Sequence, residues 1–259
     1  MSRHALTSAF LFDGTRPRTG MALILNGEVI EDLRPRADLP DNLPLQDLGP
    51  GTLAPGFVDL QVNGGGGVML NDAPTVETLR RIAAAHATLG TTALLPTLIT
   101  DTPDTTRAAI DATTRAIAMG LPGIAGLHLE GPHLAAARKG AHDGALIRPM
   151  SEDDLTAYCS AARVLPVLKL TIAPETVPPD QIEKLVKAGA LVSLGHSDAD
   201  FETCFTAWKA GARCVTHLFN AMSQIRGRAP GLAGATLFLQ GLSAGVIADG
   251  IHVHPATLA

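Results

Sequence analysis

The spacing of apolar residues changes near residue 55. Before it, "ALTSAFLFDG", "GMALILNGEVI" and "PLQDLG" are short apolar stretches broken by Gly and Asn. They read as short strands joined by turns, with no room for a helix of useful length. After "APGFVDLQVNGGGG" the apolar runs alternate with longer amphipathic segments. A strand is expected at 56–63, followed by a helix in "TVETLRRIAAAHATLG". Val76, Leu79, Ile82 or Ala83, His86 and Leu89 would line its inner face, and Gly90 would end it. Next come the strand "TTALLPTLIT", a helix near 103–119, the strand "GIAGLHLE" and a long loop. "SEDDLTAYCSAAR" opens with Ser151 as an N-cap and carries acids in its first turn. The remaining strands are "VLKLTIAPE", "LVSLGHS", "RCVTHLF" and "SAGVIADGIHV", with "PPDQIEKLVKAG", "DFETCFTAWKAG" and "LAGATLFLQG" between them.

Seven near-continuous apolar strands alternating with helices of ten to fifteen residues predict a parallel sheet covered by helices. The expected fold class is α/β, a TIM-like (β/α) barrel over 55–259, preceded by a small β domain over 1–54. Seven of eight barrel units are legible, because "HPATLA" stops where a seventh helix would begin. A doubly wound open sheet is the alternative, but "QVNGGGG" lacks the GxGxxG spacing of a dinucleotide fold.

Composition narrows the class further. Hydrophobic residues make up 46%, charged residues 17% and aromatics 3%, so the apolar bulk is aliphatic and suits helices packed on a buried sheet. A net charge of −5 argues against nucleic acid or an acidic membrane as the main partner. The three cysteines, Cys159, Cys204 and Cys214, are odd in number and read as reduced, buried thiols. "MSRHALTSAFLFDGT" has no clear signal-peptide core, and no run reaches the roughly 18 apolar residues of a membrane helix. A cytoplasmic location is expected.

The chemistry lies at the strand ends. Catalytic groups of such barrels sit at the C-terminal ends of the strands. Glu130 would end the third strand, His196 the fifth and His217 the sixth. One Glu and two His form a donor set for a single divalent metal ion, Zn²⁺ first and Fe²⁺ or Co²⁺ next. Any one of the three alone would be an ordinary structural residue; the metal reading comes from finding all three on one face. Lys139 and His142 in "RKGAHDGA", Asn220 after "HLF", Arg226 and Arg228 in "RGRAPGLAG", and Asp249 and His252 in "ADGIHV" fall on the same face. Arg beside His near a metal could hold a phosphate through paired donors. Asp249 reads better as a strand-end turn.

Taken in order, "PGFVDLQVNGGGG", "TTALLPTLIT", "GLHLEGPH", "KGAH", "LVSLGHSDA", "THLFNAM", "GRAPGLAG" and "ADGIHV" resemble the N-acetylglucosamine-6-phosphate deacetylases, one-metal members of the amidohydrolase superfamily. The resemblance runs from about residue 10 to 254. Gln61 and Asn63 stand where two-metal members carry His-x-His, which fits a single ion. The resemblance implies Glu130, His196 and His217 as metal ligands. It also implies sugar contacts at Ala141, His142, Asn220 and Ala221, with His142 polarising the acetyl carbonyl. Arg228 and His252 would be a phosphate-binding pair reaching across a homodimer, and residues 1–54 would form part of a small β-sandwich domain. The implied substrate is an amino-sugar phosphate, with the galactosamine isomer as an alternative to glucosamine. The family's catalytic Asp belongs to an eighth strand and matches no residue here, so the chain looks C-terminally truncated. A non-catalytic metal- and sugar-phosphate-binding fragment is the reading from another class.

Overall fold

The computed structural model describes residues 3–259. The chain forms two compact units, Met1–Phe57 and Val58–Ala259, whereas the sequence places the boundary after residue 54. The first unit is β-sheet apart from one 3₁₀ turn, Arg36–Asp38. One sheet has the order β5-β4-β1-β6, made of β1 (Arg3–Thr7), β4 (Met21–Asn26), β5 (Val29–Pro35) and β6 (Leu45–Asp47). The other has the order β3-β2-β7, made of β2 (Phe10–Phe12), β3 (Pro17–Arg18) and β7 (Thr52–Leu53). Gly27, at φ 63°, makes the turn between β4 and β5 that a residue with a Cβ would resist. Its small core gathers Ala5, Ala22 and Ile24.

The second unit contains seven strands in the sequential order β8 to β14. They are β8 (Phe57–Val62), β9 (Thr91–Ile99), β10 (Leu127–Glu130), β11 (Leu168–Ile172), β12 (Leu191–Leu194), β13 (Cys214–Val215) and β14 (Ser243–Ala244). From β9 onward each strand pairs in parallel with the next. A helix follows each strand: α1 (Val76–Ala87), α2 (Pro103–Ala118), α3 (Glu152–Val164), α4 (Pro179–Lys187), α5 (Phe201–Lys209), α6 (Gly231–Phe238) and the single turn α7 (Pro255–Leu258). The sheet curls strongly. The Oγ1 atoms of Thr171 on β11 and Thr216 after β13 meet at 2.7 Å across the intervening β12. Strands two apart in a flat sheet would be about 9–10 Å from each other. This is the TIM-like architecture the alternation of elements predicts.

Side-chain alternation divides the strands between two environments. Leu127, Leu129, Leu168, Leu170, Ile172, Val192, Leu194 and Val215 join one core with Leu79, Ile82, Leu155, Ile182 and Leu185 from the helices. The alternate positions face the concave side and are polar: His128, Lys169, Thr171 and Ser193 are all buried. The runs are therefore less uniformly apolar than they read. β13 and β14 are also only two residues long, because the chain leaves the ladder early to build the loops beyond. Leu89 is a correction: α1 ends at Ala87, leaving this side chain 71% exposed rather than on the inner face. Of the free cysteines only Cys204 is fully buried, and burial pushes its thiol up to about 12; Cys159 and Cys214 are half-buried. Among the described residues, no helix is long and apolar enough to cross a membrane.

The helix starts follow their local signals. Thr75, Thr102, Ser151 and Asp200 each accept a backbone N–H of the first turn. At α3 the cap is reciprocal, with Asp154 accepting from the Ser151 backbone at 2.9 Å and its hydroxyl at 2.6 Å. Arg148 adds a guanidinium bond to Asp154 at 2.7 Å. Burial opposes the Asp154 charge, but Arg148 and Ser151 outweigh it and hold the carboxyl well below its usual range. Asp154→Asn is expected to cost about 1–3 kcal/mol at pH 7. Because the folded-state pKa is depressed, that contribution is present above the unfolded value near 4 and fades as pH falls below it. Denaturant titrations of parent and variant should show the gap beginning to narrow near pH 5 and continuing to narrow as pH falls further.

Candidate metal centre

Glu130 is the last residue of β10. His196 follows β12 after Gly195, and His217 follows β13 after Thr216. At both histidines the backbone turns into the left-handed region, with φ of 45° at His196 and 36° at His217, and Phe219 (76°) and Ala221 (49°) do the same. Such conformations cost about 1–3 kcal/mol each in non-glycine residues and collect at functional sites. The result is a tight cluster. Glu130 Oε1 lies 3.1 Å from the Nε2 atoms of both His196 and His217, which are themselves 3.0 Å apart. The three residues are 2%, 5% and 9% exposed, so water does little to screen the cluster.

The protons decide what the cluster can hold. His196 Nδ1 lies 2.8 Å from the carbonyl oxygen of Arg138, and His217 Nδ1 lies 3.1 Å from that of Asn220. A carbonyl only accepts, so each Nδ1 carries the ring hydrogen and each Nε2 presents a lone pair. Two imidazole lone pairs and a carboxylate oxygen then converge with no proton among them. That arrangement is unfavourable alone and complementary to a cation, whose bonds to N and O donors of about 2 Å allow it to reach all three. Gln61 on β8 donates from Nε2 to the other oxygen, Glu130 Oε2, at 3.1 Å, leaving Oε1 aimed at the histidines.

His142 is close but different. It also offers a ligand atom within 4.8 Å of Glu130 and His196. Its Nδ1, however, accepts the Thr100 backbone N–H at 3.2 Å, which puts the ring hydrogen on Nε2. His142 is thus a donor, and His217 is the better third ligand. Burial, then the neighbouring His196, lower its pKa to about 4, so the ring is neutral at pH 7. Its ring meets that of His196 edge-on at 4.4 Å.

The other predicted residues lie around this group unevenly. Ala141 and Lys139 are exposed on the loop whose Gly140 passes so close to His196 that an added Cβ would sit 3.2 Å from Cε1. Asn220 and Ala221 are half-buried beside His217, and the Ala221 carbonyl accepts from the Ser197 N–H at 3.2 Å. Arg226, Arg228 and His252 are exposed, and among the described residues no hydrogen bond or ion pair joins them to the Glu130 cluster. His252 Nδ1 instead meets Asp249 Oδ2 at 2.7 Å. Asp249 also accepts the backbone N–H groups of Ile251 and His252, closing a turn; the bond to the His252 imidazole first, then these two, lower its carboxyl to about 2.

The Amidohydrolase family model matches residues 52–259. The chain belongs to the amidohydrolase family. It is 50% identical over 205 residues to an N-acetylgalactosamine-6-phosphate deacetylase of Shewanella sp. (strain ANA-3), covering 79% of this chain and 52% of that relative. It is 36% identical over 253 residues to an N-acetylglucosamine-6-phosphate deacetylase of Haemophilus influenzae, covering 97% of this chain and 66% of that relative. The chain therefore spans about half to two thirds of these relatives' length. Among solved structures, the N-acetylglucosamine-6-phosphate deacetylase from Pasteurella multocida superposes with a TM-score of 0.92 at 37% identity, over 97% of this chain and 66% of that one. A mutant of the Mycobacterium smegmatis enzyme in complex with N-acetyl-D-glucosamine-6-phosphate gives 0.89 at 33% identity, over 99% and 66%.

In this amidohydrolase, Gln61 supports the Glu130 carboxylate, a role the sequence did not assign. Its position on the first strand of the barrel was the available signal, since side chains two residues apart there face the same concave side.

Proposed function

We propose that this chain is the metal-holding part of an enzyme that hydrolyses the acetamide of N-acetyl-D-glucosamine 6-phosphate, giving D-glucosamine 6-phosphate and acetate. One observation carries the reading: the buried convergence of Glu130 Oε1, His196 Nε2 and His217 Nε2 within 3.1 Å, with both imidazole tautomers fixed. Zn²⁺ suits this N/O set, and Fe²⁺ or Co²⁺ share its preferences. A bound ion of this kind supplies Lewis acidity toward the acetyl carbonyl and a water with pKa near 7. His142, neutral and protonated on Nε2, would donate to the acetyl oxygen and stabilise the negative charge that grows there. Ala141, Asn220 and Ala221 would border the sugar.

Arg228 and His252, exposed in the single chain, would bind the phosphate of a substrate held by the other subunit of a homodimer, in the cytoplasm. Hydrogen bonds to a charged group are worth about 1.5–3 kcal/mol, or roughly tenfold and upward in affinity. Arg228→Ala combined with His252→Ala should therefore raise KM by about tenfold or more for the phosphorylated sugar and leave the neutral sugar nearly unchanged. Equal effects on both would remove the phosphate assignment.

The identity of 50% to the Shewanella relative favours a second reading, in which the galactosamine epimer is the substrate. Acetate release should be measured on both epimers with the zinc-loaded chain and with the same chain continued by the C-terminal part of the Haemophilus relative. No release from the continued chain on either epimer would reject the reaction.

A further inference from the structure

Directly beneath the metal-binding atoms, a single line of hydrogen bonds crosses the concave face of the sheet. The backbone N–H of Val62 on β8 donates to Thr97 Oγ1 on β9 at 3.0 Å. Thr97 Oγ1 lies 3.1 Å from His128 Nδ1 on β10, and His128 Nε2 lies 2.7 Å from Thr171 Oγ1 on β11. Thr171 Oγ1 meets Thr216 Oγ1 at 2.7 Å, and Thr216 Oγ1 meets Ser193 Oγ on β12 at 2.7 Å. Thr97, His128, Thr171, Ser193 and Thr216 are each no more than 1% exposed. A backbone N–H can only donate, so it fixes the sense of the first bond. Each hydroxyl and the imidazole can then accept from one neighbour and donate to the next, with no group left over along the way.

Each metal-binding residue is tied to this line. Glu130 follows His128 by two positions on β10, on the same face, and pairs in register with Thr171. His217 directly follows Thr216. His196 directly follows Gly195, where a Cβ would fall 2.9 Å from Thr171 Cγ2 and 3.0 Å from Thr216 Cβ. Only glycine lets the threonine pair sit under the turn that carries His196. The line therefore connects three strand ends that adjacent-strand pairing alone would leave free to shift against one another.

We propose that Thr97, His128, Thr171, Thr216 and Ser193 are positioning residues that set the spacing of Glu130, His196 and His217 for a divalent cation. The inference rests on the metal reading of those three residues. It goes beyond that reading by making metal affinity depend on hydroxyl groups that never touch the ion. Groups that hydrogen-bond a metal ligand directly typically change metal affinity by about 10–100-fold when removed, and a line one step further out is expected at the lower end of that range.

The test is zinc affinity of the full chain, measured by competition with a chromogenic chelator, for the parent, Thr171→Val, Thr171→Ser and Ser193→Ala. Thr171→Val keeps the shape and removes the central hydroxyl, so a fall of about tenfold or more is expected. Thr171→Ser restores the hydroxyl and should stay within about threefold of the parent, separating loss of the hydrogen bond from loss of packing. If Thr171→Val does not fold, Ser193→Ala, which trims only the end of the line, should still weaken zinc severalfold. A folded Thr171→Val, or in its absence a folded Ser193→Ala, that binds zinc like the parent overturns the proposal. A parent that binds no zinc overturns the metal reading itself, and the two failures are thereby distinct.

Discussion

Glu130→Gln should abolish zinc retention while leaving the metal-free protein as stable as the parent or more so. The carboxylate is the only anion among the three converging groups, and its loss leaves two imidazoles with no negative charge beside them. The drop in affinity should exceed the ~10–100-fold expected for outer groups, because a bonded atom is being replaced. The rise in stability has a separate origin. In the metal-free parent, with each ring hydrogen on Nδ1, Glu130 Oε1 and the two Nε2 lone pairs crowd within 3.1 Å. The introduced amide brings N–H groups that can donate to those lone pairs. Thermal unfolding with and without zinc checks both halves. A parent in zinc at 100 times its Kd gains about 2.7 kcal/mol, and the variant should gain nothing. A variant that retained zinc through dialysis would remove Glu130 from the ligand set.

Gly131→Ala is expected to be the most damaging single-atom enlargement near the site. Gly131 has φ 85°, and an added Cβ would lie 2.2 Å from Thr100 Oγ1 and 3.0 Å from Leu134 Cδ1. The left-handed backbone alone costs roughly 1–2 kcal/mol for a residue with a Cβ, and overpacking about 1–3 more. A loss of about 2–5 kcal/mol is thus expected, read from urea midpoints. Thr100 is also the residue that fixes His142, so the clash would disturb the carbonyl-facing donor as well as the fold. Gly144→Ala is the control, since its new Cβ would meet only the flexible Lys139 side chain, nearest at 3.3 Å. It should stay within about 0.5 kcal/mol of the parent.

Much of this architecture was legible in the chain because local signals and burial agree. The caps at Thr75, Thr102, Ser151 and Asp200 are short-range chemistry, and the alternation of strand and helix follows from burying one face of each element. Glu130, His196 and His217 stood out because a polar group at the end of an apolar run is unusual. What the sequence leaves hidden depends on contacts between distant segments. Gln61 and Glu130 are 69 residues apart, and His128 lies 43 residues from its partner Thr171. Inside a strand that reads as apolar, His128 or Lys169 looks like an exception until curling gives the sheet a polar inner face. Leu89 departs from its expected place for the opposite reason: the helical rhythm of the sequence continues past Ala87, where the backbone leaves the helix.

The two imidazoles are oriented by main-chain oxygens, those of residues 138 and 220. Every amino acid supplies that oxygen, so genetic drift at these positions cannot erase the anchors as it could erase a supporting carboxylate. The side chains of Arg138 and Asn220 are released from that duty. Selection is free to reshape them for whatever molecule arrives, while the histidines beneath keep their bearing.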